Sequence, residues 1–273
     1  MTKAVDAKSW TLVEWNDGSF RSYPEVDYVL DFTSLASNEN PISQDGVWTT
    51  ALDGTGDNVV YGSAQKSMQI RLSADGLTRI LCENGPQAGY DDAIAFVPGF
   101  PGNQRIDATL YKASGYAPDP SLNSHEYELF VGAKVRGTDD KIGVEMGFNT
   151  YGGYFLAGFD GDLTSWDTVL GGVWYAAATG NTHTPANGDF VRMELNRTAK
   201  TINAWIAGVH VIDLDWNTTA QVNVASQTLL NNLGNSAGFG GLRRFTAGGG
   251  VESVEGSIGW RDVLISPNLL GAP

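Results

Sequence analysis

The stretch from His125 to Val135 constrains the fold more than any other part of the chain. It reads HEYELFVGAKV, with Tyr127, Leu129, Val131, Ala133 and Val135 on one face and Glu126, Glu128, Phe130 and Lys134 on the other. A period of two marks a half-buried strand, because successive side chains of an extended backbone leave opposite faces. The same period recurs where Val191, Met193 and Leu195 alternate with Arg192 and Glu194. Thr201–Leu214 splits into Ile202–Ile206 and Val209–Leu214 around Ala207-Gly208. Ser67–Ser73, Arg105–Lys112, Gly143–Phe148, Tyr154–Phe159 and Ser257–Ser266 read as further strands. Asp75-Gly76, Asn84-Gly85-Pro86, Pro98-Gly99, Asp160-Gly161 and Asn187-Gly188 supply turns between them. Helical periodicity is confined to Ser226–Asn232 and Tyr28–Leu35. Many short strands, glycine turns and no βαβ rhythm predict an all-β, antiparallel two-sheet sandwich. Leu129, Val131, Met193 and Ile206 are expected to point inward.

Composition narrows the setting. The 273 residues hold 17 basic and 31 acidic side chains, a formal net charge of −14. That balance argues against nucleic acid and against an anionic membrane surface, both of which select basic patches. Aromatics make up 11%, with eight Trp, which fits a packed core and not a disordered chain. Cys82 is the one cysteine, so neither an intramolecular disulfide nor a cysteine-based zinc site is expected. No apolar run approaches the ~18 residues of a membrane span, and the first ten residues lack the apolar core of a signal peptide. Synthesis in the cytoplasm is therefore expected, the protein being kept there or released by lysis. Residues 1–30 read as an N-terminal extension and residues 31–273 as the sandwich. The extension carries Trp10, Trp15 and Phe20, which would bury on a partner as an attachment arm or on the protein's own sheet as an extra strand.

Residues 188–216, GDFVRMELNRTAKTINAWIAGVHVIDLDW, resemble a recurring stretch of concanavalin A-like (laminin G-like) jelly rolls. Gly188-Asp189 opens the stretch, Asn196-Arg197-Thr198 supplies its turn, and Ala207-Gly208 stands where Asn-Gly is commoner. Gly256–Pro267 is similar to the closing strand of that family, with Asp262 in the usual acidic place, and Asn40–Thr50 resembles its opening turn. The resemblance implies a jelly-roll sandwich over residues 31–267. Such sandwiches are frequent in bacteriophage virion proteins, so it also implies a capsid decoration protein or tail adhesin. The partners would then be other virion proteins or copies of itself, with a homo-oligomer expected and surface polysaccharide as a further ligand. The alternative is a carbohydrate-binding module or a polysaccharide-degrading enzyme of the same fold.

The catalytic motifs of related sandwiches are incomplete. A retaining glycosidase needs two carboxyls about 5–5.5 Å apart. Glu126-x-Glu128 supplies such a pair on a strand, but Phe130 and Val131 stand where a third acidic residue belongs. The pair therefore reads as a solvated strand face. Tyr111-Lys112, Tyr116 and Arg105 fall short of a lyase signature, and His125, His183 and His210 are scattered, His183 as a solvated turn residue. No enzyme and no catalytic residue are expected. Asp53-Gly54-Thr55-Gly56-Asp57-Asn58 and Asp160-Gly161-Asp162 could offer oxygens to calcium, but neither completes a calcium loop, and no cofactor is expected. Gly238–Gly241 and Gly248–Gly250 read as loops. Tyr151, Tyr154, Trp166 and Trp174 crowd one stretch and would stack on sugars if exposed, or fill the core if buried.

Overall fold

The computed structural model describes residues 10–14, 20–24, 28–29, 49–50, 68–83, 90–97, 99–114, 123–134, 142–149, 154–160, 169–176, 183–184, 186–245 and 258–273. In chain order the strands are β1 (Trp10–Glu14), β2 (Phe20–Pro24), β3 (Tyr28–Val29), β4 (Thr49–Thr50), β5 (Met68–Leu72) and β6 (Arg79–Glu83). They continue with β7 (Tyr90–Val97), β8 (Gln104–Lys112), β9 (Asn123–Lys134), β10 (Ile142–Asn149), β11 (Tyr154–Asp160) and β12 (Val169–Ala176). Then follow β13 (Phe190–Asn196), β14 (Thr201–Ile206), β15 (Val209–Asp215), helix α1 (Val224–Leu230), β16 (Ser236–Phe245) and β17 (Ile258–Ser266).

Two large sheets result. One has seven strands in the order β12-β11-β10-β9-β16-β7-β4. The other has eight, running β15-β14-β13-β8-β17-β6-β5 with β3 paired to β17, and β1 and β2 form a separate two-stranded sheet. Every pairing is antiparallel. This is the all-β sandwich that the alternation calls for. The short links have a local cause at β14–β15, where Ala207 and Gly208 take φ of 50° and 79°. Positive φ at both central residues gives a turn whose twist matches its strands.

The core lies between the sheets. Tyr127, Leu129 and Val131 of β9 and Met146 of β10 meet Ile106, Met193, Ile206 and Trp260 of the facing sheet. Leu129, Val131, Met193 and Ile206 are fully buried, as the alternation predicts. Trp260 binds the layers directly. Its ring stands edge-on to Tyr127 at 5.7 Å and tilted to Phe239 at 5.8 Å, and its indole N–H donates to the Gly240 carbonyl at 3.3 Å.

A bulge ends the regular part of β9. Gly132 has φ +62°, and a Cβ there would lie 2.8 Å from the Cβ of Leu233. Its N–H donates to Gln104 Oε1 at 2.7 Å, while its carbonyl accepts from Gly234 at 2.8 Å. The register slips beside it in both neighbours, β10 and β16. Only glycine tolerates that conformation so close to another side chain.

Three sequence expectations change here. Gly238–Gly241 is part of strand β16, not a loop; Phe239 faces the core and the glycines flank it. Tyr28–Leu35 does not begin a helix, because Tyr28–Val29 pairs with Ile265 and Leu264 of β17. Helix α1 starts at Val224, two residues before the expected start, because Asn223 caps it by accepting the Ser226 amide at 2.8 Å. Among the described residues no helix is long and apolar enough to cross a membrane.

Candidate functional site

Strand alternation puts Glu128 and Phe130 of β9 on the outer face of the seven-stranded sheet, opposite the core side chains Tyr127, Leu129 and Val131. Register fixes their neighbours. Glu128 stands between Gly147 of β10 and Gly240 of β16, and Phe130 stands between Glu145 and Gly238. Two parallel rows thus cross three strands, each with an outward glycine on β16.

Glu128 is only 2% exposed. The expected solvated strand face is therefore corrected for this residue: neighbouring groups have displaced its water. A Cβ placed on Gly240 would meet Phe130 Cε2 at 2.6 Å and Glu128 Oε2 at 2.7 Å. The carboxylate and the ring edge thus lie down over a bare stretch of backbone, and the missing side chain makes room for both. Glycine inside a strand commonly marks such a close approach. Glu145 is half-buried and sits one diagonal away from Glu128 across β9–β10. Diagonal neighbours are roughly 7–8 Å apart at the backbone, within joint reach of two glutamate side chains.

The arrangement can do two things chemically. A carboxylate held flat against backbone and ring accepts hydrogen bonds from hydroxyl donors, strongly when water is excluded. Two carboxyls on one face can also act as an acid and a base, the requirement for glycosidic bond cleavage.

The other singled-out residues fall elsewhere. Tyr154 is 6% exposed and belongs to the core cluster, because it faces inward with Leu156, so it offers no stacking platform. Trp174 lies in β12, Trp10 in β1 and Phe20 in β2. Tyr151, Trp166 and Trp15 lie outside the described residues, as do residues 53–58 and 161–162 of the acidic turns. Among the described residues no group of three or more His, Cys, Asp or Glu could hold a metal ion. His183 is not a free turn residue. Its Nε2 lies 2.6 Å from Asp189 Oδ2, which also accepts the Ala186 amide at 2.8 Å and so closes the loop before β13. His210 stacks on Trp205 with centroids 4.8 Å apart.

A second polar cluster covers the outer face of the eight-stranded sheet. Arg192 Nε and Nη2 donate to the two oxygens of Asp107 at 2.7 and 2.9 Å, and Arg105 Nε lies 3.1 Å from the same carboxylate. The Asp107 hydrogen bonds hold the Arg192 guanidinium above its ordinary pKa. Arg197 fastens the neighbouring loops by donating to the carbonyls of Gly102, Leu233 and Gly234, and burial lowers its pKa.

Glu145, Gly147 and Gly240 were absent from the sequence reading of the site. Their signal is present in Gly238-Phe239-Gly240, a period-two pattern whose outer residue is glycine, but a run of glycines imitates a loop.

No family model matches the chain, and no curated protein matches it in sequence. Solved structures do. The carbohydrate-binding module CBM66 from Bacillus subtilis is 9% identical, with 85% of this chain and 94% of that one covered and a TM-score of 0.39. The carbohydrate recognition domain of Emp46p is 8% identical over 89% and 98%, with a TM-score of 0.46. A glycoside hydrolase family 16 endo-glucanase from Bacteroides ovatus is 12% identical over 88% and 97%, with a TM-score of 0.42. At such identities the likeness concerns the sandwich alone. Nothing in it points to a virion. The expectation that the chain is no enzyme is corrected to this extent: the matching solved structures include glycoside hydrolases and the Crh5 transglycosylase. Of the premises behind it, the solvated strand face fails at Glu128.

Proposed function

We propose that the chain binds carbohydrate on the outer face of the seven-stranded sheet, with the half-buried Glu145 as the acceptor of sugar hydroxyls and the buried Glu128 as a positioning residue beside it. The observation that carries this reading is a partly exposed carboxylate, Glu145, set one diagonal from a buried one, Glu128, on the outer face. Phe130, Gly147 and Gly240 are buried around the pair and support it from below.

The test is retention on a panel of immobilised neutral and acidic polysaccharides, comparing wild type with Glu145→Gln. Hydrogen bonds to a charged group contribute about 1.5–3 kcal/mol, so the variant should lose tenfold or more in affinity. Retention by no polysaccharide, or equal retention of both proteins, would overturn the reading.

A second reading, cleavage of the bound glycan, rests on the diagonal placement of Glu145 beside Glu128. Reducing-end release that disappears in both Glu128→Gln and Glu145→Gln would support it. Binding without product would leave a binding module.

A further inference from the structure

The outer face of the eight-stranded sheet is occupied by the chain's own residues 267–273. This segment leaves β17, crosses β8 and ends over β13. Arg105 of β8 donates through Nη1 to the Asn268 carbonyl at 2.5 Å. Leu270 and Gly271 both donate their amides to Glu194 Oε1 of β13, at 2.7 and 3.0 Å, and Arg192 Nη1 donates to the Gly271 carbonyl at 2.9 Å.

Two features of this grip stand out. Every bond to the segment goes to its main chain, while the side chains of Asn268 and Leu270 remain exposed, Leu270 at 64%. The receiving side chains, in contrast, are more than nine-tenths buried, and Asp107 fixes both arginines in place independently of the segment. Preorganised groups that read only backbone do not distinguish one copy of an extended segment from another.

We propose that this face is a docking site for extended polypeptide, filled here by residues 267–273 and able to take the same segment from a second copy of the chain. Exchange of an identical element between protomers preserves every contact, which makes it a low-cost route to association.

The full-length Gly271→Pro variant tests this. Proline fixes φ near −65°, whereas Gly271 has φ +73°, and proline lacks the amide that Glu194 accepts. The variant's own segment should therefore release while the receiving face stays intact. A labelled peptide of residues 266–273 should bind this variant saturably and the wild type at least about tenfold more weakly, because the wild-type segment competes at high effective concentration. N-methylation of the peptide's Leu270 amide should cost about tenfold, and Leu270→Ala in the peptide less than about threefold. No binding to the folded variant would overturn the proposal, and so would equal losses from the two peptide changes. If the variant does not fold, hydrogen exchange in the wild-type chain decides: excess unlabelled peptide should speed exchange of the chain's own Leu270 and Gly271 amides. Unchanged protection at millimolar peptide would overturn it.

Discussion

On the eight-stranded sheet, Arg105, Asp107, Arg192 and Glu194 are buried together, two cations against two anions, and residues 268–271 add hydrogen bonds to both arginines and to Glu194. On the seven-stranded sheet, Glu128 is buried beside a phenyl ring and over a glycine, with a second glutamate one diagonal away. Both faces bury charge outside the core. The first balances it with opposite charge and backbone, which is how a face is closed. The second sets acid beside acid, with glycine where β16 would otherwise place a side chain. The difference shows that burial alone does not mark a site; the kind of neighbour does.

The sharpest way to break this contrast is Asp107→Ala. It would leave Arg192 and Arg105 buried without their carboxylate, a change that typically costs about 3–5 kcal/mol. The denaturant midpoint should fall accordingly, and an unchanged midpoint would mean that the pair does not close the face. Leu129→Ala, in the core beneath Glu128, should cost about 2–5 kcal/mol through lost burial and a cavity. Equal shifts from these two variants would put the polar face on a level with the core.

Gly240→Ala is the counterpart on the other face. Its Cβ would overlap Phe130 and Glu128, so overpacking should cost about 1–3 kcal/mol. Carbohydrate retention should fall with it, and retention at the wild-type level would remove Gly240 from the site.

The smallest effect concerns Tyr111, whose phenol burial holds above its ordinary pKa of 10.0. Above about pH 10 the unfolded phenol ionises while the folded one keeps its proton, so unfolding releases a proton and stability falls as pH rises. Below that value the phenol contributes no pH dependence. Urea midpoints between pH 8 and 11 should therefore drop less for Tyr111→Phe than for wild type. Parallel curves would show that Tyr111 titrates as an exposed tyrosine.

Alternation alone determined the strands around Leu129, Met193 and Ile206 and which of their faces turns inward, because a period of two is a local property of extended backbone. The turn at Ala207-Gly208 was legible for the same reason. Strand β16 was not, since its outer residues are glycines and glycine is as common in turns as beneath a neighbour's side chain. Nor could any local pattern bring Glu145 beside Glu128 and Phe130, because register between β9 and β10 is set by the bulge at Gly132 and by core packing. Sequence named Glu128 as polar and outward-facing, and only tertiary structure decided that it is dry, because burial depends on which groups of other strands close around a position.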